Sequence, residues 1–349
     1  MTPQQQTPAQ LGFHMPPEWH RHAATWLTWP KDPLTWLERV PQVEETYLEI
    51  MAALAPHETV NLLVDDAATE AAVRARCKFE ASGNVRFHRI PTVDSWIRDY
   101  GPNFLLNGRG ELAFNDWVFN AWGDKYEALK RDDGIPRQLE SVLPGVPRFE
   151  PGIVLEGGSI EVDGAGVVLT TEQCLLNPNR NPHLDRDGVR QYLFDYLGVE
   201  KVIWLGEGIA GDDTDGHIDD IARFVAPGTI VCAVEDDPTD PNYKLLRDNH
   251  ERLLRATDAH GAPYRVHTLP MPGLVGGREA EERLPASYAN FYIANNVVLL
   301  PIFGHPNDLR AADTLQRLMP ARRVVPINAE SLVWGMGTLH CLSQQQPAS

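Results

Sequence analysis

Apolar and polar positions along the chain follow two alternating periods. Short β-branched and aromatic runs at 23–30, 111–119, 166–171, 229–234 and 296–303 read as strands. Behind them come stretches with apolar residues at helical spacing, at 43–54, 188–197, 243–257 and 309–319. In 243–257, Leu245, Leu246, Leu253 and Leu254 recur with Arg and Glu between them. Gly198 and Pro320 read as helix stops. A second set of short strands follows, at 60–64, 202–205, 264–269 and 323–327. The second unit is the least regular, with a helix near 135–143 and a strand near 148–155. Five strand–helix–strand units suit either an open α/β sheet or a ring of repeats, and periodicity alone does not choose. Residues 1–11 and the tail QQQPAS read as mobile ends.

The polar residues are concentrated after the second strands, in DSWIRDYGP (94–102), LEGGSIEVDG (155–164), GEGIAGDDTDGHIDD (206–220) and NAESLVWGMGTLHC (328–341). Loops that follow like-placed strands gather at one end of a repeated fold, where sites form.

Composition narrows the function classes. The 349 residues carry a formal net charge of −17, which repels a phosphate backbone and argues against nucleic acid. The same balance favours a cationic ligand. No apolar run approaches the ~20 residues of a membrane helix, and the N-terminal segment lacks signal-peptide character. Cys77, Cys174, Cys232 and Cys341 are widely spaced, which suits a reducing cytoplasm better than a disulfide framework.

Within the polar segments, Cys341 follows Gly335 and Gly337, which allow close backbone approach. His340 is its neighbour, but adjacent side chains in extended backbone point to opposite faces, so His340 reads as structural. His217 is the candidate base, sitting among Asp212, Asp213, Asp215, Asp219 and Asp220. With Gly216 at loop position six, position one is Gly211 and position twelve Ala222, which rules out a calcium-loop pattern. Zinc on His217, Asp219 and Cys341 is conceivable, without paired-His spacing to support it. Asp94, Trp96, Arg98 and Asp99 offer either a loop-base ion pair from Arg98 to Asp94 or Asp99, or an aromatic wall with a carboxylate for a planar cation. Glu156 follows an apolar strand and needs a buried partner, plausibly the His. Arg180, between Asn residues in TTEQCLLNPNRNP, reads as part of a structural turn.

Taken in order, DSWIRDYGP, LEGGSIEVDG, TTEQCLLNPNRNP, GDDTDGHIDD, LPASYANFYIANNVVLLPIFG and INAESLVWGMGTLHCLSQQQP resemble the segments of the agmatine deiminase family, within the guanidine-modifying pentein superfamily. The resemblance implies a five-bladed α/β propeller, one catalytic domain over 12–347. It implies Cys341 as nucleophile, His217 as general acid/base, and Asp99 and Asp219 as the carboxylates on the guanidinium. Trp96 becomes the aromatic wall, Glu156 the acid beside the His, and Asp213 the carboxyl near the far amine. The implied reaction converts agmatine and water to N-carbamoylputrescine and ammonia through an amidino-cysteine, with no metal or organic cofactor. The implied partner is a small cationic guanidine, in a homo-oligomer without nucleic acid or membrane. Two departures bear on substrate choice. Trp334 and Met336 stand where the family commonly reads GGGNIHC, and AWGDKY (121–126) replaces its AWGG form. Free or peptidyl arginine is the alternative substrate, with Arg98 or Arg180 as a cation for an α-carboxylate. A metal hydrolase on DDTDGHIDD and an inactive polyamine binder are the readings from other classes.

Overall fold

The computed structural model describes residues 6–77, 84–277 and 283–349. The fold is mixed α/β and is built from five small sheets rather than one. Each sheet has a central strand paired antiparallel to a short strand on one side and parallel to a crossover strand on the other. The central strands are His22–Thr28, Leu112–Asn115, Val167–Thr171, Thr229–Val234 and Val297–Ile302. Their sequences are near-continuously apolar because helices and neighbouring sheets cover both faces.

Helix Val40–Leu54 presents Val43, Tyr47, Ile50, Met51 and Leu54 as one buried stripe, and the helix packs against strands of both the first and the fifth sheets. Helix Arg186–Leu197 begins on Asp185, whose carboxylate accepts from the Gly188 N–H, and stops at Gly198 in the left-handed region (φ 65°). In helix Asn242–Leu254 the buried stripe is Leu246, Asn249 and Leu253, while Leu254 is exposed. Asn249 and Asn242 are buried for another reason. Their amide oxygens accept from Gly206 N and Ala210 N, at 2.8 and 2.7 Å, and so hold the start of the His217 loop.

Several expectations are corrected. The first sheet gains a further helix, Ala67–Arg76, and strand, Val85–Arg89, so DSWIRDYGP follows that strand and not the one at 60–64. In the second unit, 111–119 shortens to Leu112–Asn115, and 135–143 to the single turn Ile135–Leu139 after a 3-10 stretch at Glu127–Gly134. The strand at 148–155 shrinks to Arg148–Phe149, because Pro147 and Pro151 lack the N–H a ladder needs. The tail is not a loose end: Gln344–Pro347 pairs antiparallel with His22–Thr28 and supplies the first sheet's short strand. Of the N-terminal stretch, Ala9–Leu11 forms a 3-10 turn, and residues 1–5 lie outside the described residues. Among the described residues no helix is long and apolar enough to cross a membrane.

All four polar motifs occupy the same place, between a parallel strand and the short antiparallel strand of the next sheet. The short strands are Asn103–Asn107, Glu161–Val162, Ala222–Ala226 and Gln344–Pro347. Carboxyl ends of parallel strands are where α/β folds form crevices.

Candidate active site

Three of the four motifs line one cavity of about 650 Å³, whose walls include Trp96, Asp99, Trp122, Asp213, Met336 and Cys341. The fourth contributes Gly158, whose N–H donates to Asp99 Oδ1 at 2.9 Å at the buried end.

Cys341 is positioned by its own segment. The turn Val333–Gly335 ends at Met336 in the left-handed region (φ 71°). A Cβ on Gly337 would lie 2.7 Å from the Trp96 ring and 3.1 Å from Cys341 Cβ, so only glycine fits between wall and thiol. Asn290, which the sequence reading overlooked, anchors the turn: its Oδ1 accepts from Thr338 Oγ1 (2.7 Å) and His340 N (3.1 Å). Its Nδ2 donates to Cys341 Sγ at 3.2 Å. Asp219 Oδ2 lies 3.7 Å from the same sulfur. Burial pushes the Cys341 thiol well above its ordinary range, with Asp219, Asp220 and Asp99 adding to the shift.

The His217 loop is folded on itself. Asp212 accepts from the N–H groups of Thr214, Gly216 and His217 at 2.7, 2.9 and 3.1 Å. Asp215 and Gly216 take positive φ in succession. His217 is buried with Nδ1 3.8 Å from Asp99 Oδ1. A Cβ on Gly158 would come within 2.5 Å of that nitrogen, so the LEGGSI glycine is required by the imidazole's position. Burial alone would lower His217, but Asp99, with Cys174 and Glu156, outweighs it and raises the imidazole well above its ordinary value.

The two carboxylates differ. Asp99 is raised by burial, partly offset by His217, and its Oδ2 accepts from Trp122 Nε1 at 2.9 Å. Trp122 is a second residue missed in the sequence. It lies in AWGDKY, where Ala121, Trp122, Gly123 and Asp124 all have positive φ, a strained turn that aims the indole at Asp99. Asp219 meets a burial penalty too, but a hydrogen bond from His340 and its charge hold the carboxyl below the usual range. Its Oδ2 is 2.7 Å from His340 Nδ1, while Oδ1 has no partner.

His340 therefore turns away from the thiol, and it does more than fill space. Its Nε2 is 2.7 Å from Glu18 Oε2, so a carboxylate faces each ring nitrogen. Arg98 joins this network through Glu18 (3.4 Å) and Gln345 Oε1 (2.7 Å), which corrects the expected pairing with Asp94 or Asp99. Asp94 instead accepts from Trp96 Nε1 at 3.0 Å and steadies the aromatic wall. Glu156 is likewise corrected: its hydrogen-bonded partner is Arg180 Nε at 2.6 Å, although His217 lies close by. Arg180 also pairs with Asp215 Oδ2 (2.7 Å) and donates to Thr214 O (2.8 Å), bolting the His217 loop to the Glu156 segment. At the cavity rim Asp213 accepts from the Tyr126 hydroxyl, with Lys125 Nζ 3.6 Å away. Thus Cys341, His217, Asp99, Asp219, Trp96 and Glu156 come together at the buried end, and Asp213 stands at the mouth.

The agmatine deiminase of Ectopseudomonas mendocina is 41% identical over 100% of this chain and 99% of its own length. That of Pseudomonas syringae pv. syringae is 40% identical over 100% and 99%. The solved agmatine deiminase of Enterococcus faecalis superposes with a TM-score of 0.92, at 36% identity, covering 98% of each chain. The resemblance read from the ordered motifs is borne out. Residues 14–347 match the sequence pattern of the Porphyromonas-type peptidyl-arginine deiminases, and the chain belongs to that family.

Proposed function

We propose that this protein hydrolyses the guanidinium of agmatine to N-carbamoylputrescine and ammonia. The observation that carries the reading is one buried thiol, Cys341, beside two carboxylates, Asp99 and Asp219, in an aromatic-walled cavity, with the His217 imidazole 3.8 Å from Asp99. A guanidinium is stabilised by delocalisation, so attack on its carbon requires a strong nucleophile and firm orientation. Asp99 and the unpartnered Oδ1 of Asp219 supply in-plane acceptors. Trp96 supplies the π face.

The Cys341 thiol proton passes to solvent as the substrate cation offsets the surrounding carboxylates. The sulfur lone pair then attacks the central carbon. His217, as imidazolium, protonates one departing amino group, the C–N bond breaks, and ammonia leaves an amidino thioether on Cys341. Neutral His217 takes a proton from water, whose oxygen attacks the same carbon. Collapse of that adduct breaks the C–S bond and releases the ureido product with the thiolate. Glu156, beside His217, supports the imidazolium form. No step calls for a metal or organic cofactor.

The rim favours agmatine over free arginine. Asp213 suits a terminal ammonium. Arg98 and Arg180, the two cations considered for an α-carboxylate, are both tied up in buried ion pairs. The five sheets are read as blades of a closed propeller in one domain spanning 12–347. Supporting closure, the C-terminal strand completes the first sheet, and short strands of successive sheets meet around Glu18, Arg98 and Arg223.

Ammonia release from agmatine, arginine and a blocked arginyl peptide, measured in parallel, tests the reading. Release from agmatine is expected to dominate. Preference for arginine would move attention to Lys125 as the carboxylate's partner, and silence on all three would overturn the proposal. In the same assay Trp122→Phe keeps the ring but removes the donor to Asp99. An unsatisfied buried acceptor costs about 1–3 kcal/mol, so kcat/KM should fall about 5- to 150-fold. An unchanged rate would exclude a part for the indole N–H.

A further inference from the structure

The mechanism leaves unused a second thiol at the rear of the imidazole. Cys174 is fully buried in the single turn Glu172–Leu175. Thr171 locks that turn to the base: its Oγ1 accepts from Cys174 N at 3.1 Å and donates to the carbonyl of Gly216, next to His217, at 2.6 Å. Glu156 completes the group. One ligand atom from each of Glu156, Cys174 and His217 lies within 4.8 Å of the other two. Arg180 engages Glu156 Oε1 and leaves Oε2 without a hydrogen bond, and neither ring nitrogen of His217 makes one of ordinary length, Asp99 Oδ1 standing 3.8 Å from Nδ1. Buried polar atoms are normally paired, so this concentration of unpartnered donors' lone pairs calls for an account.

We propose that Glu156, Cys174 and His217 form a binding site for a zinc-class divalent cation, and that occupancy reversibly blocks the enzyme by removing its base. A sulfur, an imidazole nitrogen and a carboxylate oxygen are the three donor types zinc takes, with a fourth position left for water. Metal–ligand lengths of about 2.0–2.3 Å put ligand atoms roughly 3.3–3.8 Å apart, so closure needs side-chain shifts of about 1 Å. Charge balances as well. Thiolate and carboxylate neutralise a dication, while Arg180 stays matched by Asp215. On binding, two protons are released to solvent, one from the Cys174 thiol and one from the His217 imidazolium, the form in which His217 rests. The acidic cavity supplies the approach, since Asp99 on its wall is 3.8 Å from His217. This site does not involve Cys341.

Cobalt(II), titrated into chelator-treated full-length protein, provides a readout that does not depend on deiminase activity. One equivalent per chain should produce a near-ultraviolet thiolate-to-cobalt band, retained in Cys341→Ala and lost in Cys174→Ala. Cys174→Ser, which keeps the side chain's size, guards against a folding defect and should also lack the band. Zinc should displace the cobalt. With each variant compared to its own metal-free rate, the zinc concentration for half-inhibition should rise at least about 10-fold in Cys174→Ser. A band lost in Cys341→Ala but kept in Cys174→Ala, or no band in the unmodified protein, overturns the proposal.

Discussion

Cys341→Ala is expected to reduce ammonia release from agmatine by at least about 10⁴-fold while leaving a folded protein. Asp99 and Asp219 stay in place to bind the guanidinium, but no atom is left to attack its carbon. The cavity created is one sulfur in size, so stability should change by no more than about 1 kcal/mol. Retained turnover would refute Cys341 as nucleophile, whereas a collapsed fold would deprive the variant of meaning and require Cys341→Ser. The variant is also the blank for a titration. Burial and three nearby carboxylates raise the Cys341 thiol, which favours its protonated form at rest. The thiolate absorbance of the unmodified protein minus that of Cys341→Ala should therefore rise only above the ordinary ~8.5. Guanidinium ion, a cation without a chain, should pull that rise to lower pH. A midpoint below 8.5 in the free protein would mean a preformed thiolate and would contradict the substrate-assisted first step.

The largest stability effect is expected at a buried arginine outside the catalytic set. Arg223 is fully buried, 2.9 Å from Glu161 and 2.9 Å from Glu18, and donates to the carbonyl of Phe291 at 2.7 Å. Arg223→Met fills much of the volume but strands the buried carboxylate of Glu161 and leaves Glu18 with only His340 and Arg98. Removing one partner of such a group costs about 3–5 kcal/mol, or roughly 4–7 °C in Tm for a chain of this length. The pH dependence has a definite sign. Burial already raises Glu161, and Glu18 is held down chiefly by Arg223 and then by His340 against its own burial. Without the guanidinium both carboxyls shift upward. Their protonated forms carry no buried charge, so the variant's deficit should shrink as pH falls from 8 to 5. Adding Glu161→Gln should recover part of the loss. Differential scanning calorimetry across that pH range measures this, and a loss below about 1 kcal/mol would show that Arg223 does not stabilise these buried carboxylates.

Much of the site was legible because its signals are local. Gly337 marks close backbone approach beside Cys341, and Gly158, the second glycine after Glu156, marks close approach to an imidazole. What stayed hidden depends on partners distant in the chain. Trp122 reaches Asp99 through a left-handed turn that no local preference announces, since four successive residues with positive φ run against ordinary backbone energetics. Asn290, 51 residues from Cys341, becomes relevant only when the fifth sheet's short strand brings it to the thiol. Arg98 seemed to have its carboxylates beside it in DSWIRDYGP, yet Glu18, 80 residues away, is its ion-pair partner.

Hydrophobic periodicity was sufficient for the repeated strand–helix–strand units, because burial of one face per element is a local demand on the sequence. It was also sufficient for the chemical inventory of thiol, imidazole, carboxylates and indole, since residue types are read directly. The short antiparallel strands, down to two residues in Glu161–Val162 and Tyr292–Ile293, carry too few positions to show a period, and the polar tail Gln344–Pro347 shows none. Tertiary structure alone decided their pairing, which buried charge meets which, and which aspartates of DDTDGHIDD face the thiol instead of bracing their own loop. The reason is physical: a buried charge is stabilised by whichever opposite charge the packing brings within reach, and packing is a property of the whole chain.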